Sequence, residues 1–262
     1  MNLGTIDNIT NQIERFVGDR KAIVGLSGGI DSTVIAYLCV RALGRENVLG
    51  ISMPCSDPDN KALDVSSDDS IDDAYLVAQK LNIEFLIRNI APAVKAFSDF
   101  EDGDVPDLTL GNIMARVRMV TLYMYANGFN GMVIGTTNKT EAAIGYYTKY
   151  GDGAVDVEPI ADLYKTEVWE AAKILGVPQK IIDKKPSAEL WEGHSDEDEF
   201  GMTYKEMDEM LRDLEPFMAE NGSTEQASSV LKKYDIQKTA KLVRMIDSSE
   251  HKKNMPPAFK VR

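Results

Sequence analysis

Cysteine and histidine are scarce in this chain, two of each among 262 residues. Cys39 and Cys55 have no metal-binding spacing, which excludes a thiolate metal centre as the organising device. Cys39 falls inside a helical pattern and reads as a small buried hydrophobe. Thiols used in this way fit a reducing, cytoplasmic compartment. Long apolar runs are missing as well, since none approaches the ~18 residues that span a bilayer. The opening Met-Asn-Leu-Gly-Thr-Ile-Asp lacks a basic stretch followed by an apolar one, so no secretion signal is expected. Positive charge is also in deficit. With 29 Lys and Arg against 42 Asp and Glu, the formal net charge is −13, which argues against general binding to nucleic acid or to an anionic membrane. A polyphosphate would have to be held locally, by a divalent cation, a few lysines and arginines, and aimed backbone N–H groups.

What the chain does have is a regular alternation. Its 44% hydrophobic and 27% charged content is that of a soluble globular protein, and the length suits one domain over residues 1–262. An amphipathic segment, Ile6–Phe16, precedes a short apolar run, Ile23–Leu26. A helical pattern follows near 31–43, then an apolar run at Val48–Met53 and a helix near 69–81. A strand at Ile83–Ile87, a long helix from Leu110 to Asn127 and a buried strand at Gly131–Gly135 complete the series. Strands alternating with helices of about 10–15 residues imply βαβ crossovers. The expected fold is α/β, a Rossmann-like parallel sheet flanked by helices on both faces. Beyond about residue 160 the periodicity is helical only, over Leu163–Leu175, Tyr204–Leu214, Glu225–Lys233 and Ile236–Ile246, which predicts a helical C-terminal part. No internal repeat or linker-like composition interrupts it. Three acidic stretches, Asp57–Asp73, Ser98–Asp107 and Glu192–Glu199, read as surface loops.

The stretch Ala22-Ile-Val-Gly-Leu-Ser-Gly-Gly-Ile-Asp-Ser32 carries the most chemistry. A glycine-rich turn between a strand and a helix N-terminus gathers backbone N–H groups and the positive end of the helix dipole at one spot, which suits a phosphate. Gly28 and Gly29 let the backbone approach an anion with no Cβ in the way. No lysine follows the glycines, so this is not the G-x-x-x-x-G-K-[ST] loop, and it is not G-x-G-x-x-G either. The plainer alternative is a βα turn whose Ser and Asp cap the helix. Ser-Gly-Gly-Ile-Asp-Ser resembles the pyrophosphate loop of the ATP pyrophosphatases, which cleave ATP to AMP and pyrophosphate. In an open parallel sheet, ligands bind beyond the carboxyl ends of the strands. The Ser27–Ser32 loop and the Thr136–Glu141 segment are therefore expected to meet.

Thr136–Lys165 is dense in reactive and charged groups: Thr136, Glu141, Lys149, Asp152, Asp156, Asp162 and Lys165. Glycines at 145, 151 and 153 prevent it from being one amphipathic helix. Ordered motifs run through and beyond it: Gly111-Asn-Ile-Met-Ala-Arg-Val-Arg-Met119, Gly135-Thr-Thr-Asn-Lys-Thr-Glu141 and Gly145-Tyr-Tyr-Thr-Lys-Tyr-Gly-Asp-Gly153. Pro159-Ile-Ala-Asp-Leu-Tyr-Lys-Thr166, Lys185-Pro-Ser-Ala-Glu-Leu-Trp191 and His251-Lys-Lys-Asn-Met-Pro-Pro257 follow. With the Ser27–Ser32 loop they resemble the NAD synthetases over nearly the whole chain. The resemblance implies a ligase that forms a C–N bond, amidating the nicotinate carboxylate of nicotinic acid adenine dinucleotide (deamido-NAD) with ammonia, ATP and Mg²⁺. It also implies a homodimer whose subunits share the deamido-NAD sites.

By that resemblance Gly25, Leu26, Ser27, Gly28, Gly29, Ile30, Asp31 and Ser32 form the ATP loop, and Thr136, Lys165 and Ser187 also contact ATP. Asp31 and Glu141 match magnesium carboxylates, and two hard carboxylates with phosphate oxygens and water suit that ion. Their plain alternatives are an acid in a first helical turn and a helix cap. Lys165 matches a lysine that reaches the phosphates, where it would neutralise charge as pyrophosphate departs; the alternative is a snorkelling lysine at a helix start. Arg116, Lys149, Asp156, His251 and Lys252 match deamido-NAD positions. Because Arg116 sits among Ile113, Met114, Val117 and Met119, a dimer-interface salt bridge is its alternative. Asp31, Lys165 and Asp156 are the expected catalytic residues, with Asp156 or a nearby carboxylate as the base.

A carboxylate has no usable leaving group, so amidation needs activation, and an enzyme gains by splitting one hard step into two. The expected route is an acyl-adenylate, made with loss of pyrophosphate and broken down by ammonia with loss of AMP. Only about 20 residues precede the first strand, and neither cysteine is set as a glutaminase nucleophile, so free ammonia is the expected donor. Rivals are another adenylating enzyme with the same loop, or a non-catalytic nucleotide sensor, which would not need Asp31, Glu141 and Lys165 together. Two departures from the family stand out. The Cys55–Ser70 segment is longer and more acidic than its usual loop, and His194 stands where glutamine is more usual.

Overall fold

The computed structural model describes residues 1–101, 103–187, 195–218 and 232–259, the side chains of 216–218 aside. His194 and almost all of Glu225–Lys233 lie outside the described residues. The helices that pack on the sheet are α1 (Leu3–Val17), α2 (Ile30–Leu43), α3 (Asp68–Leu81), α4 (Ala91–Ser98) and α5 (Asp107–Phe129). They alternate with β1 (Lys21–Gly25), β2 (Val48–Ser52), β3 (Glu84–Ile87) and β4 (Gly131–Ile134). After β4 come α6 (Lys139–Ile144), α7 (Lys165–Leu175), α8 (Gln179–Ile182), α9 (Asp196–Phe200), α10 (Tyr204–Met218) and α11 (Ile236–Lys253).

The sheet is parallel in the order β3-β2-β1-β4. Its strands are apolar on both faces because both are covered. Ala22, Val24, Met132 and Ile134 join the core shared with α1, α2 and α7. Their neighbours Ile23, Leu49, Ile51 and Val133 point the other way, into the layer with α4 and α5. The chain returns beside β4, where Val157 bridges Ile134 and Asp156 N donates to Val133 O at 3.0 Å. Since β2 lies on one side of β1 and β4 on the other, the strand order reverses between β1 and β4. That reversal opens a crevice at their carboxyl ends.

The helical C-terminal part builds a third core from Phe200, Met202, Tyr204, Met207 and Leu242, which packs on Ile144 of α6 and on Tyr164. It thus walls the crevice on one side. Two of the acidic stretches differ from the expectation of surface loops. Asp68–Asp73 opens α3, capped by Ser67, and Asp73 is buried. Asp196–Phe200 is helix α9, with Asp196 buried as well. In both places a distant cation or hydroxyl compensates the carboxylate, a partner that local sequence does not display. Among the described residues no helix is long and apolar enough to cross a membrane.

Candidate functional site

The loop after β1 is tied up by its own hydroxyls. Leu26 N still donates to Ile51 O at 2.9 Å, so the chain leaves the sheet only at Ser27. Ser27 Oγ accepts from Gly29 N at 3.2 Å, and Ser32 Oγ donates to Gly29 O at 3.1 Å. Thr33 Oγ1 donates to the same carbonyl at 2.8 Å. Gly28 has φ +78°, and a Cβ there would collide with Ser70 O of α3; its Cα side is packed against α3 rather than turned to the crevice. The amides of Ile30, Asp31 and Ser32 that follow have no intrahelical acceptor by construction, and Thr33 N is the first to find one, Gly29 O at 3.2 Å.

The two loops do meet. Asn138 caps α6 by accepting from Glu141 N at 3.0 Å, while its Nδ2 donates across the crevice to Asp31 Oδ1 at 3.0 Å. Glu141 completes the capping box through Oε2, which accepts from Asn138 N at 3.2 Å. Its other oxygen, Oε1, lies 3.3 Å from Lys165 Nζ, and Asp31 Oδ2 lies 2.5 Å from the same nitrogen. The helix-cap reading of Glu141 thus describes one oxygen, and the other faces Lys165. Asp31 likewise sits in the first turn of α2, yet its side chain reaches across rather than capping locally.

Lys165 does not snorkel. It is 3% exposed and stands over the Tyr204 ring, 4.8 Å from the centroid. Burial opposes its charge, but Asp31 and Glu141 outweigh burial and hold its pKa above the usual lysine range. Burial pushes the Glu141 carboxyl up; Lys165 pulls it back, and Asp31 adds to the rise. A buried clamp sets this geometry. Asp208 of α10 accepts from Thr140 Oγ1 at 2.5 Å and from Thr166 N at 2.8 Å, and Lys165 N donates to Thr140 Oγ1 at 2.9 Å. The start of α7 is thereby locked to α6, and Lys165 to Glu141.

These groups line a cavity of about 520 Å³, within the range of small-molecule sites. Ser27, Gly29, Thr136, Lys165 and Ser187 share its wall with Arg118 and Asp196. Several of its groups were not singled out from sequence. Asp196 accepts from Tyr204 Oη at 2.9 Å, and Tyr146 Oη, on the wall, lies 2.9 Å from Glu199 Oε2. Arg118 Nε donates to Met53 O at 3.0 Å. Glu158 sits behind Gly135 and accepts from Thr137 N at 3.1 Å, bracing the loop that carries Thr136.

Burial pushes the Glu158 carboxyl up to about 7 from 4.5. A raised folded-state pKa means that the fold binds this proton more tightly than the unfolded chain does. Stability from this group is full below pH about 4.5 and is lost as pH climbs towards about 7. Glu158→Gln keeps the acceptor and removes the titration. The variant should flatten the stability-versus-pH curve across that window by up to about 3 kcal/mol. Denaturant unfolding at pH 5 and pH 8 checks it, and an unchanged difference between the two would refute the assignment.

The residues matched to deamido-NAD lie outside the phosphate end. Arg116 Nη2 donates to Lys149 O at 3.3 Å, and Lys149 Nζ donates to His251 O. Lys252 Nζ donates to Gly145 O and Tyr147 O, both at 2.7 Å. The structure thus gathers Arg116, Lys149, His251 and Lys252 where α5, the 145–153 loop and the end of α11 converge. Asp156 stands apart from them, its Oδ2 accepting from Val133 N at 2.8 Å and its Oδ1 from Tyr123 Oη at 3.2 Å. Tyr123 is seven positions along α5 from Arg116, about two helical turns.

Comparison with known proteins places the chain in a family. The NAD synthase family model matches residues 4–256. The NH3-dependent NAD⁺ synthetase of Pyrococcus furiosus is 45% identical over 91% of this chain and 88% of its own. Among solved structures, the NH3-dependent NAD synthetase of Campylobacter jejuni superposes with a TM-score of 0.79 at 30% identity, covering 99% of this chain and 100% of that one. An NMN synthetase from Francisella tularensis gives a TM-score of 0.78 at 32% identity, over 97% of this chain and 98% of that one. Matched over residues 4–256 by the family model and over most of its length by a relative 45% identical to it, the chain belongs to the NAD synthase family.

Proposed function

We propose that this protein amidates deamido-NAD to NAD with ammonia in an ATP- and Mg²⁺-dependent reaction that passes through an acyl-adenylate and releases AMP and pyrophosphate. One observation carries the reading most directly. At the β1/β4 switch point, a serine- and glycine-rich loop and the Asp31 carboxylate at the helix N-terminus behind it meet Glu141 of α6 and Lys165 at the start of α7.

The donor set fits magnesium. Asp31 Oδ2 and Glu141 Oε1 are hard oxygens that both face the Lys165 ammonium, so the pair already favours a cation, and Glu141 has committed its other oxygen to the cap. Among the described residues no group of three or more His, Cys, Asp or Glu forms a metal cluster. Such sparse ligation suits an ion that keeps waters and takes substrate oxygens. When bound there, magnesium would screen the triphosphate charge and polarise the phosphoryl group under attack.

The remaining steps fall to the chain. The nicotinate carboxylate attacks the α-phosphorus, and the α–β bridging P–O bond breaks with its electron pair leaving on pyrophosphate. Lys165, a fixed and buried cation, stabilises the charge that develops there. Ammonia then adds to the acyl carbon, the C–O bond to phosphate breaks, AMP leaves and nitrogen loses a proton. The Ser27–Ser32 loop and Thr136 hold ATP, and Ser187 borders the same space. Arg116, Lys149, His251 and Lys252 hold the dinucleotide, while Asp156, held by Val133 N and Tyr123 Oη, reaches it from the edge of β4. The exposed apolar side chains Leu108, Val120 and Met124 of α5 flank Arg116, which supports pairing of this face with a second copy.

The test supplies protein, ATP, Mg²⁺, ammonium and deamido-NAD, and follows NAD, AMP and pyrophosphate, with nicotinic acid mononucleotide run in parallel. NAD, AMP and pyrophosphate should form in equal amounts. Release of ADP, or ATP turnover indifferent to the dinucleotide, would refute the reaction; preference for the mononucleotide would refute the substrate.

A further inference from the structure

The cavity wall holds a second cation cluster near the phosphate loop. Helix α8 is pinned by Ile181 and Ile182 in the main core. The chain then crosses the mouth of the site, placing Lys184, Lys185, Pro186 and Ser187 on the wall that Ser27 and Gly29 share. Lys184 Nζ donates to Ser70 Oγ at 2.8 Å and to Asp73 Oδ2 at 3.0 Å. Lys180 Nζ lies 2.7 Å from the other oxygen, Asp73 Oδ1, off the hydrogen-bond axis. Ser70 is also the residue whose carbonyl packs against Gly28. The Lys184 ammonium is therefore one residue away from the backbone of the phosphate loop.

The charges of the two clusters differ in sign. Lys165 is shared by two carboxylates, Asp31 and Glu141, so that group carries net negative charge. Asp73 is a single carboxylate shared by two lysines, so this group carries net positive charge. Asp73 is 2% exposed and cannot lose both partners, but it needs only one. Lys180 can remain with it while Lys184 turns to a ligand. Asp69 and Asp72 of α3 also act on Lys180, so Lys184 is the cation of this group that can be spared beside the phosphate loop. It calls for a local anion.

We propose that Lys184 binds the β- and γ-phosphate oxygens of ATP and the pyrophosphate that leaves. It rests on Asp73 and Ser70 when the site is empty and exchanges them for phosphate oxygens, Asp73 staying on Lys180. The inference rests on the ATP-binding part of the function proposed above and adds a phosphate ligand to it.

Binding to the full-length protein, measured by calorimetry with Mg²⁺ and no dinucleotide, separates this role from a structural one. Lys184→Met should weaken inorganic pyrophosphate and ATP about ten- to hundredfold, the worth of a charge-assisted bond to phosphate, and leave AMP unchanged. Lys184→Gln, which keeps a donor for Ser70 without the charge, should show the same pattern and covers the case in which the methionine variant misfolds. Lys184→Arg should recover most of the pyrophosphate affinity. Asp73→Asn, which keeps the ammonium, should retain pyrophosphate binding. Wild-type pyrophosphate affinity in Lys184→Gln, or equal losses for AMP and ATP, would overturn the proposal. A protein that shows the expected pattern but makes no NAD would overturn the proposed function and leave this ligand standing.

Discussion

Lys165→Met should lower kcat by about three orders of magnitude and, in chelator, should also destabilise the fold by about 3 kcal/mol. Both effects come from one nitrogen. Lys165 Nζ lies 2.5 Å from Asp31 Oδ2 and 3.3 Å from Glu141 Oε1 in a site where the lysine is only 3% exposed. Methionine preserves length and contact with the Tyr204 ring but leaves two carboxylates facing each other without compensation. Removing one partner of a buried ion pair leaves the other uncompensated, which is the costly direction. Glu141 meets part of that cost by holding its proton, so the stability deficit should shrink as pH falls. Mg²⁺ at millimolar concentration should recover much of the melting temperature, because the vacated point between the two carboxylates suits a cation. Turnover should not recover, since pyrophosphate would still leave without a fixed cation beside it. Steady-state rates and thermal melts with and without Mg²⁺ decide the matter. A variant with kcat within tenfold of wild type would remove Lys165 from the chemistry.

The layout of the sheet was legible because its determinants are local. Strands β1, β2 and β4 are short apolar runs bounded by glycine or a polar turn and mostly buried, while the edge strand β3 keeps Glu84 and Ile87 exposed. The loop that follows β1 was legible for the same reason, since Ser27, Gly28, Gly29 and Asp31 are contiguous. What could not be read was pairing across the chain. Asp73, Asp196 and Asp208 are all buried, yet each sits in a stretch whose composition reads as solvated. Their partners are far off: Asp208 accepts a hydrogen bond from the Thr140 hydroxyl, 68 positions away, and Asp73 one from Lys184, 111 positions away. Short helices failed for a different reason. The six residues of α6 and the eight of α4 complete about two turns, too few for a 3.6-residue period to separate from chance. Glu141 shows how much a local rule leaves open. The capping signal was correct for one carboxylate oxygen and silent about the other.

Gly145→Ala should damage dinucleotide binding while sparing ATP. Gly145 closes α6 with φ +69°, a backbone state that costs a residue with a Cβ roughly 1–2 kcal/mol. The added methyl would also collide with Ser249 Cβ and stand 2.6 Å from its Oγ. Ser249 is a buried residue of α11, so the clash cannot be relieved by turning a side chain into solvent. Helix α11 must shift outward at this point. Two residues later that helix presents His251 and Lys252, and Lys252 Nζ depends on this contact because it donates to Gly145 O and Tyr147 O at 2.7 Å each. Lys149, whose Nζ donates to His251 O, would lose its support in the same movement. The phosphate end is insulated from this shift: the Ser27–Ser32 loop, Asp31 and Lys165 are held by α2, α6, α7 and Asp208. The expected outcome is a rise of tenfold or more in KM for deamido-NAD, a loss of about 2–3 kcal/mol in stability, and an ATP affinity within about twofold of wild type. Gly145→Ala combined with Ser249→Gly, which removes the obstructing side chain, should restore part of the dinucleotide affinity but none of the backbone cost. Equal losses for ATP and the dinucleotide would mean that α6 itself has moved, and that the two halves of the site are not held independently.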